Sequence, residues 1–314
     1  SQEPSAQLET AARSADQPRE SGALSLIAQS DFRRLWLAGA LSGTMRWLET
    51  LAIAVFVFGE TANPFLVAVM MFLRMFPMFL FGAIAGVLAE RLNRKVMLLV
   101  GLTVLTANSS VMVTLAVTDI LEIWHVAIAV FIGGIFWSTE FPVRRTMLGE
   151  TAGMDRVGLA MGIDSATTNA TRMVGPALGG VLLKYLGLGG VYAVGAVFFA
   201  LAALLVFPIV YRQTRSVASR AGLLTNLREG FSYIRSRRVI VGILTITILV
   251  NLWGFPYMSM VPVIGEKELG LGPVLIGLMT SVEGLGAFGM ALFIATRASP
   301  TQYTRIYYGG SFMF

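Results

Sequence analysis

Eight apolar stretches, each long enough to cross a lipid bilayer, run along this chain: 35–58, 64–89, 96–117, 123–143, 160–186, 189–211, 239–264 and 273–296. A helix needs roughly 20 mostly apolar residues to cover a hydrocarbon core of ~30 Å. So many segments of that length, one after another, predict an all-α, polytopic membrane helical bundle. The charged fraction is only 13%, where ordinary soluble domains have ~25%, and mean hydropathy is +0.72. The 33 glycines suit helices that approach closely through small residues in lipid.

Composition removes several function classes. With no cysteine and one histidine, His125, neither thiolate nor multi-histidine metal sites are available, and no metal or other cofactor is expected. His125 follows Trp124 at one end of the fourth segment, where an aromatic-belt or headgroup contact is the expected role. The net charge of +6 would suggest nucleic acid in a soluble protein. Here the basic residues sit in alternate links instead. Arg33 and Arg34 precede the first segment, Arg91, Arg94 and Lys95 follow the second, and Arg144, Arg145 and Arg156 follow the fourth. Seven arginines from Arg212 to Arg238 fill the link after the sixth, while the other links hold Glu60, Asp119 and Glu122. By the positive-inside rule this predicts a cytoplasmic N-terminus in a multi-pass protein of the cell (inner) membrane. The bilayer and a small-molecule substrate are the expected partners, with no nucleic acid and a monomeric state.

The organisation reads as four parts. Residues 1–30 are polar and predict a disordered cytoplasmic tail. Residues 31–212 hold six segments, and 213–238 form a linker far longer than the usual 2–8 residue helix connection. Its Leu223, Leu224, Leu227, Phe231 and Ile234 fall near helical spacing, which predicts an amphipathic cytoplasmic helix. Residues 239–314 hold two more segments and, from about Tyr303, the start of a ninth. The missing initiator Met and the stop at Phe314 predict that a longer chain exists. Six helices, a long basic connector and further helices is the layout of a two-bundle transporter with its site near the midplane.

Two motifs sharpen this. Gly86-Val-Leu-Ala-Glu90-Arg91-Leu-Asn-Arg94-Lys95 joins the second and third segments. Its basic residues are placed to bridge carboxylates or helix C-termini and lock one face. Thr171-Arg172-Met-Val-Gly175-Pro176-Ala-Leu-Gly179-Gly180 runs through the fifth, where Pro176 removes a backbone hydrogen bond beside a close-packing glycine face. The first resembles the signature loop of the major facilitator superfamily, with Glu90 for its Asp and Asn93 for its second Gly, a residue that tolerates a left-handed turn. The second resembles the Gly-Pro motif of that superfamily's proton-coupled exporters, with Thr171 for its first Gly. Phe141-Pro142-Val-Arg144, Asn169-x-x-Arg172 and Leu227-Arg-Glu-Gly230-Phe231-x-Tyr233 narrow the resemblance to the branch of the enterobactin exporter and related bacterial drug and siderophore efflux proteins. It covers about residues 31–298 and implies efflux by alternating access, as an antiporter drawing on the proton gradient. It also assigns gating to Gly86, Glu90, Arg91, Arg94, Lys95, Arg144, Gly175, Pro176, Gly179 and Gly180.

Charges within apolar segments cost several kcal/mol unless paired or facing water, so they mark a pathway. Arg46 and Glu49 are three apart and share a face for pairing; Arg74 is in the second segment; Glu140 and Arg144 are four apart; Asp164 and Arg172 lie on one stripe of the fifth. Glu283, near the centre of the eighth, has no local cation. A buried carboxylate without a cation beside it is the one that most readily takes a proton. Glu283 is therefore the first candidate for proton carrier and Glu49 the second, unless Arg46 holds it ionised, with Glu140 and Asp164 as gate or positioning pairs. Met70, Met71, Met75 and Met78 can line an adaptable pocket or pack against lipid.

An exporter is thus the leading function. An enzyme would need a nucleophile–base set or metal site for which the residues are lacking, and no phosphate-binding Gly-x-x-x-x-Gly-Lys-Ser/Thr loop occurs. A non-transporting, truncated membrane protein with a structural or partner-binding role is the alternative.

Overall fold

The structure is a computed structural model that describes residues 22–211, 232–253, 255–297 and 309. The described residues are helical throughout apart from short links. A short helix, Ala23–Ala28, leads into α1 (Ser30–Thr61), α2 (Pro64–Arg91), α3 (Arg94–Val117) and α4 (Ile123–Ala152). The run Val157–Val206 breaks at Gly187, whose φ of 64° lies in the left-handed region. Its two arms are α5 and α6, joined where a side chain would be strained. Then come α7a (Arg238–Trp253), α7b (Phe255–Lys267) and α8 (Pro273–Arg297).

Among the described residues, six helices are long and apolar enough to cross a membrane, and the 53-residue Met154–Val206 stretch holds both α5 and α6. Helices overrun their apolar segments: α4 continues nine residues past 143, because lipid requires only the apolar centre while polar ends extend until a cap stops them. The disordered tail expected to residue 30 does not extend over its last part. Residues 23–28 form a turn and a half of helix whose Leu26 is fully buried, since Leu26 and Phe32 join the α1 core. Residues 1–21, nearly all of the amphipathic linker helix and the ninth apolar segment lie outside the described residues.

Two link details follow from side chains. Asn93 does not take a left-handed turn; its φ is −67° and its side chain caps α3, accepting from the Lys95 and Val96 amides at 2.9 and 3.3 Å. At the start of α4, His125 Nδ1 accepts the Glu122 amide at 3.0 Å, while Trp124 Nε1 donates to Glu122 at 2.6 Å. His125 therefore closes a helix cap, a local job that neither its burial nor the aromatic pattern announces.

Packing follows the small residues. The α5 glycines face two ways: a Cβ on Gly175 or Gly179 would meet the α1 backbone at 3.0 and 2.6 Å, and one on Gly180 would strike the Pro273 carbonyl of α8. A Cβ on Gly277 or Gly284 of α8 would in turn meet the Pro176 or Arg172 carbonyl at 2.6 or 2.7 Å. Such close backbone approach maximises van der Waals contact where lipid supplies no hydrophobic drive. The Gly-Pro motif is thus the seam joining α1, α5 and α8.

Candidate functional site

The up-and-down helix order puts Arg94, Glu150, Arg156 and Tyr211 at one end of the bundle, here the basic face. Glu60, Glu122 and Glu266 lie at the other, the acidic face. On the basic face, Arg94 Nη1 donates to Glu150 Oε1 at 2.6 Å and to Tyr211 Oη at 3.1 Å, and the Tyr211 hydroxyl donates to Glu150. Burial, helped by the bond to Glu150, pushes the Tyr211 phenol up to about 12. The gating motif is therefore tied to α4 and to the residues after α6. Lys95 lies 5.9 Å from the Phe207 ring. Gly86, Glu90 and Arg91 lie at the end of α2, and their side chains are outside the described set.

Midway along the bundle, the predicted charges form three groups. The first is a chain: Arg46 Nη2 to Glu140 Oε2 at 2.8 Å, Glu140 Oε1 to Arg144 Nε at 3.0 Å, Arg144 Nη1 to Asp164 Oδ1 at 2.6 Å, and Asp164 Oδ2 to Arg145 Nε at 3.1 Å. It links α1, α4 and α5 with three cations and two anions. Gly39 makes it possible, since a Cβ there would collide with the Arg144 guanidinium. Phe141 flanks the chain, with the Arg145 and Arg144 guanidiniums 5.3 and 6.0 Å from its ring.

The second group pairs Glu49 with Arg74 across α1 and α2, Oε2 to Nη2 at 3.2 Å. Arg74 is held where α4 passes close: a Cβ on Gly134 would strike the Arg74 carbonyl. The expected local pair of Arg46 with Glu49 is not formed. Three residues apart, they diverge enough for each to find a partner on a different helix, Arg46 on α4 and Glu49 on α2. The third group pairs Arg172 of α5 with Glu283 of α8, with Arg172 also 5.1 Å from the Trp47 ring. Glu283 is therefore not without a cation. Its partner lies 111 positions away in sequence and arrives through the α5–α8 seam. Asp164 and Arg172, on one stripe, serve different partners.

Arg46 and Arg74 of these groups line a narrow cleft of about 50 Å³ between α1, α2, α4, α5, α7b and α8. Arg46, Trp47, Thr50, Met71, Arg74 and Met75 of α1 and α2 line it, together with Trp137, Pro176, Pro262 and Thr280 of α4, α5, α7b and α8. Of the methionine run, Met71 and Met75 line this cleft, Met70 is buried and Met78 is exposed. A second, smaller cavity of about 30 Å³ lies within α1–α6 and is lined by Ser42, Arg46, Glu49, Arg74, Trp137 and Glu140 among others. Arg46, Arg74 and Trp137 thus line both cavities.

Sequence reading missed Gly39, Gly134, Arg145, Glu150, Tyr192 and Tyr211. Tyr192 of α6 is fully buried. No motif marks it, and a tyrosine in an apolar helix reads as packing. The glycines are distinguishable from packing glycines only once the arginine that fills the space is known.

Among the described residues no cluster of His, Cys, Asp and Glu fits a metal. A mostly apolar cleft with two paired arginines on its wall is chemically suited to holding a small molecule.

Comparison with known proteins agrees with this geometry. The family described as transmembrane secretion effector matches residues 21–307. The chain is 22% identical over 291 residues to the uncharacterised MFS-type transporter YfiS of Bacillus subtilis, covering 91% of this chain and 68% of that one. It is 22% identical over 275 residues to the staphyloferrin A transporter of Staphylococcus aureus, covering 85% and 68%. A match at 25% over 222 residues to a PmrA-like multidrug efflux pump of Lactococcus lactis covers 68% and 52%. In fold it resembles the D-xylose–proton symporter, with a TM-score of 0.53 at 18% identity over 87% of this chain and 68% of that structure.

Proposed function

This chain belongs to the transmembrane secretion effector family, multi-pass membrane transporters of the major facilitator superfamily and not enzymes, and on that footing we propose that it exports small molecules from the cytoplasm by proton antiport. The observation that carries the reading is the inter-helix cleft lined by Arg46 and Arg74, two arginines each paired with a carboxylate on another helix. Charges are kept at this depth, despite a cost of ~2.5–3.5 kcal/mol each on insertion scales, where they line a pathway. Two relatives whose names specify efflux or a siderophore support the export of drug- or siderophore-like cargo. The basic face is assigned to the cytoplasm of the inner membrane by its arginines, and the protein acts as a monomer.

In this reading the cleft opens alternately to each side as α5 and α8 rock on their glycine seam. Glu283 remains the preferred proton carrier, now for a different reason. Its side chain is 34% exposed, against 11% for Glu49, which makes it the more accessible carboxylate of the two. It also ties α5 to α8, so protonation releases Arg172 and loosens the seam. Glu49, Glu140 and Asp164 then act as positioning partners for Arg74, Arg46 and Arg144.

The test is efflux of candidate dyes and siderophores from proteoliposomes with and without an imposed pH gradient. Wild-type protein should concentrate cargo only with the gradient, and Glu283→Gln should lose that dependence while still inserting. Gradient-independent movement by the wild type overturns antiport. Intact coupling in Glu283→Gln removes that residue from the mechanism.

A further inference from the structure

The cleft has an electrical polarity that export as such does not require. The charged groups on its wall are Arg46 and Arg74. Their carboxylate partners, Glu140 and Glu49, line the second cavity and not the cleft. Each ion pair is therefore turned with its positive end toward the cleft. Nor are the cations fully compensated: Arg46 shares Glu140 with Arg144, and Arg144 shares Asp164 with Arg145.

Arg74 supplies an independent observation. It is 6% exposed, and its buried Nη2 has no hydrogen-bond partner. The 3.2 Å contact with Glu49 is an ion pair without hydrogen-bond alignment. A buried donor left unmatched costs about 1–3 kcal/mol, and Arg74 is one of the residues that line the cleft. Around it, Trp47, Trp137, Met71 and Met75 offer flat or adaptable apolar surface. The Arg46 guanidinium lies 4.9 Å from the Trp137 ring, which fixes its plane for bidentate contact with a planar anion.

We propose that the central cleft binds an anionic, partly aromatic molecule, with a carboxylate or similar planar anion on Arg74 and Arg46 and the apolar body between Trp47 and Trp137. This deepens the export reading by naming the charge class of the cargo, and it rests on that reading only for the direction of movement. A cation would meet two guanidiniums in a low-dielectric site, where like charges repel strongly.

Binding is measured by isothermal titration calorimetry on the protein in phosphatidylcholine nanodiscs, with empty nanodiscs subtracted. The probes are 1-naphthoate, 1-naphthalenemethanol and 1-naphthylmethylammonium, one ring system with three charges. The expected order is naphthoate first, by about tenfold or more over either of the others, as for a charge-assisted pair out of water. Arg74→Lys should keep the preference for the anion. Arg74→Gln combined with Glu49→Gln, which removes a whole ion pair without stranding a charge, should reduce it to within about threefold. Ammonium binding as tight as naphthoate, or an undiminished preference in the double variant, overturns the proposal. Should the double variant not fold, the wild-type order decides alone. Failure here is separable from failure of export: a protein that expels cationic dyes but prefers no anion loses only this inference. One that binds naphthoate but moves no cargo loses only the transport reading.

Discussion

At the scale of single residues, the central charges depend on side chains that are absent. Gly39 leaves the space in which the Arg144 guanidinium reaches both Glu140 and Asp164. Even one methyl group there must displace Arg144, because the contacted atoms are the guanidinium itself and all three neighbours are buried. Breaking a buried pair by removing one partner destabilises by about 3–5 kcal/mol. Gly39→Ala should therefore lose a stability of that order, and scanning fluorimetry of the purified protein should show it as a markedly lower melting temperature. Gly162→Ala, whose Cβ would meet nothing within 4 Å, is the control and should melt like the wild type. Equal melting of the two variants would mean that Arg144 has another low-energy position.

At the scale of helices, the sequence told unequal amounts about different elements. Segment length and apolarity identified α1–α6 and α8 without ambiguity, and the Gly187 break between α5 and α6 fell within the gap that the apolar pattern left at 187–188. Pairing was less legible. Glu140 with Arg144 was readable because both lie on one helix face four residues apart. Arg46 with Glu140, Glu49 with Arg74 and Arg172 with Glu283 were not, since each depends on which helices become neighbours and at what depth. Asn93 shows the same limit locally: its motif position suggested a turn conformation, while its side chain found two free amides at a helix start. The α5–α8 seam is where motif and structure meet most directly. The Ser281 hydroxyl accepts the Ala177 amide at 3.1 Å, close to where Pro176 deprives the helix of a donor. Because the chain has no cysteine, the double variant Ala177→Cys, Ser281→Cys should give a clean internal crosslink under mild oxidation. Adding Gly277→Val, which sets a branched side chain against the Pro176 carbonyl, should reduce its yield several-fold. An unchanged yield would show that the seam tolerates separation there and is not the hinge.

At the scale of the whole molecule, the close approaches between α1–α6 and α7–α8 among the described residues lie between the midplane and the acidic face. Pro273 meets Gly180, Gly277 meets Pro176, Gly284 meets Arg172 and Met173, and Glu266 comes within reach of Gly59. Among the described residues α7b packs on α1 and α2, and α7a, the half nearer the basic face, packs on its own continuation. Contacts that close a cleft toward one face belong to one end-state of an alternating-access cycle. The basic face is the one assigned to the cytoplasm, so this state would take up cargo from inside. Thr50 and Met75 both line the cleft, which makes either, replaced by cysteine, a reporter of its opening. In membrane vesicles of known sidedness, an impermeant maleimide should label Thr50→Cys and Met75→Cys from the basic face, with slower labelling from the acidic face. Gly59→Trp would fill the space beside Glu266 and wedge α7b away from α1, and it should raise labelling from the acidic face. Two variants that stay equally shielded from both sides, with or without the wedge, would describe a closed bundle. Then neither the cleft nor its arginines would be within reach of cargo, and the paired charges would have to be read as structural.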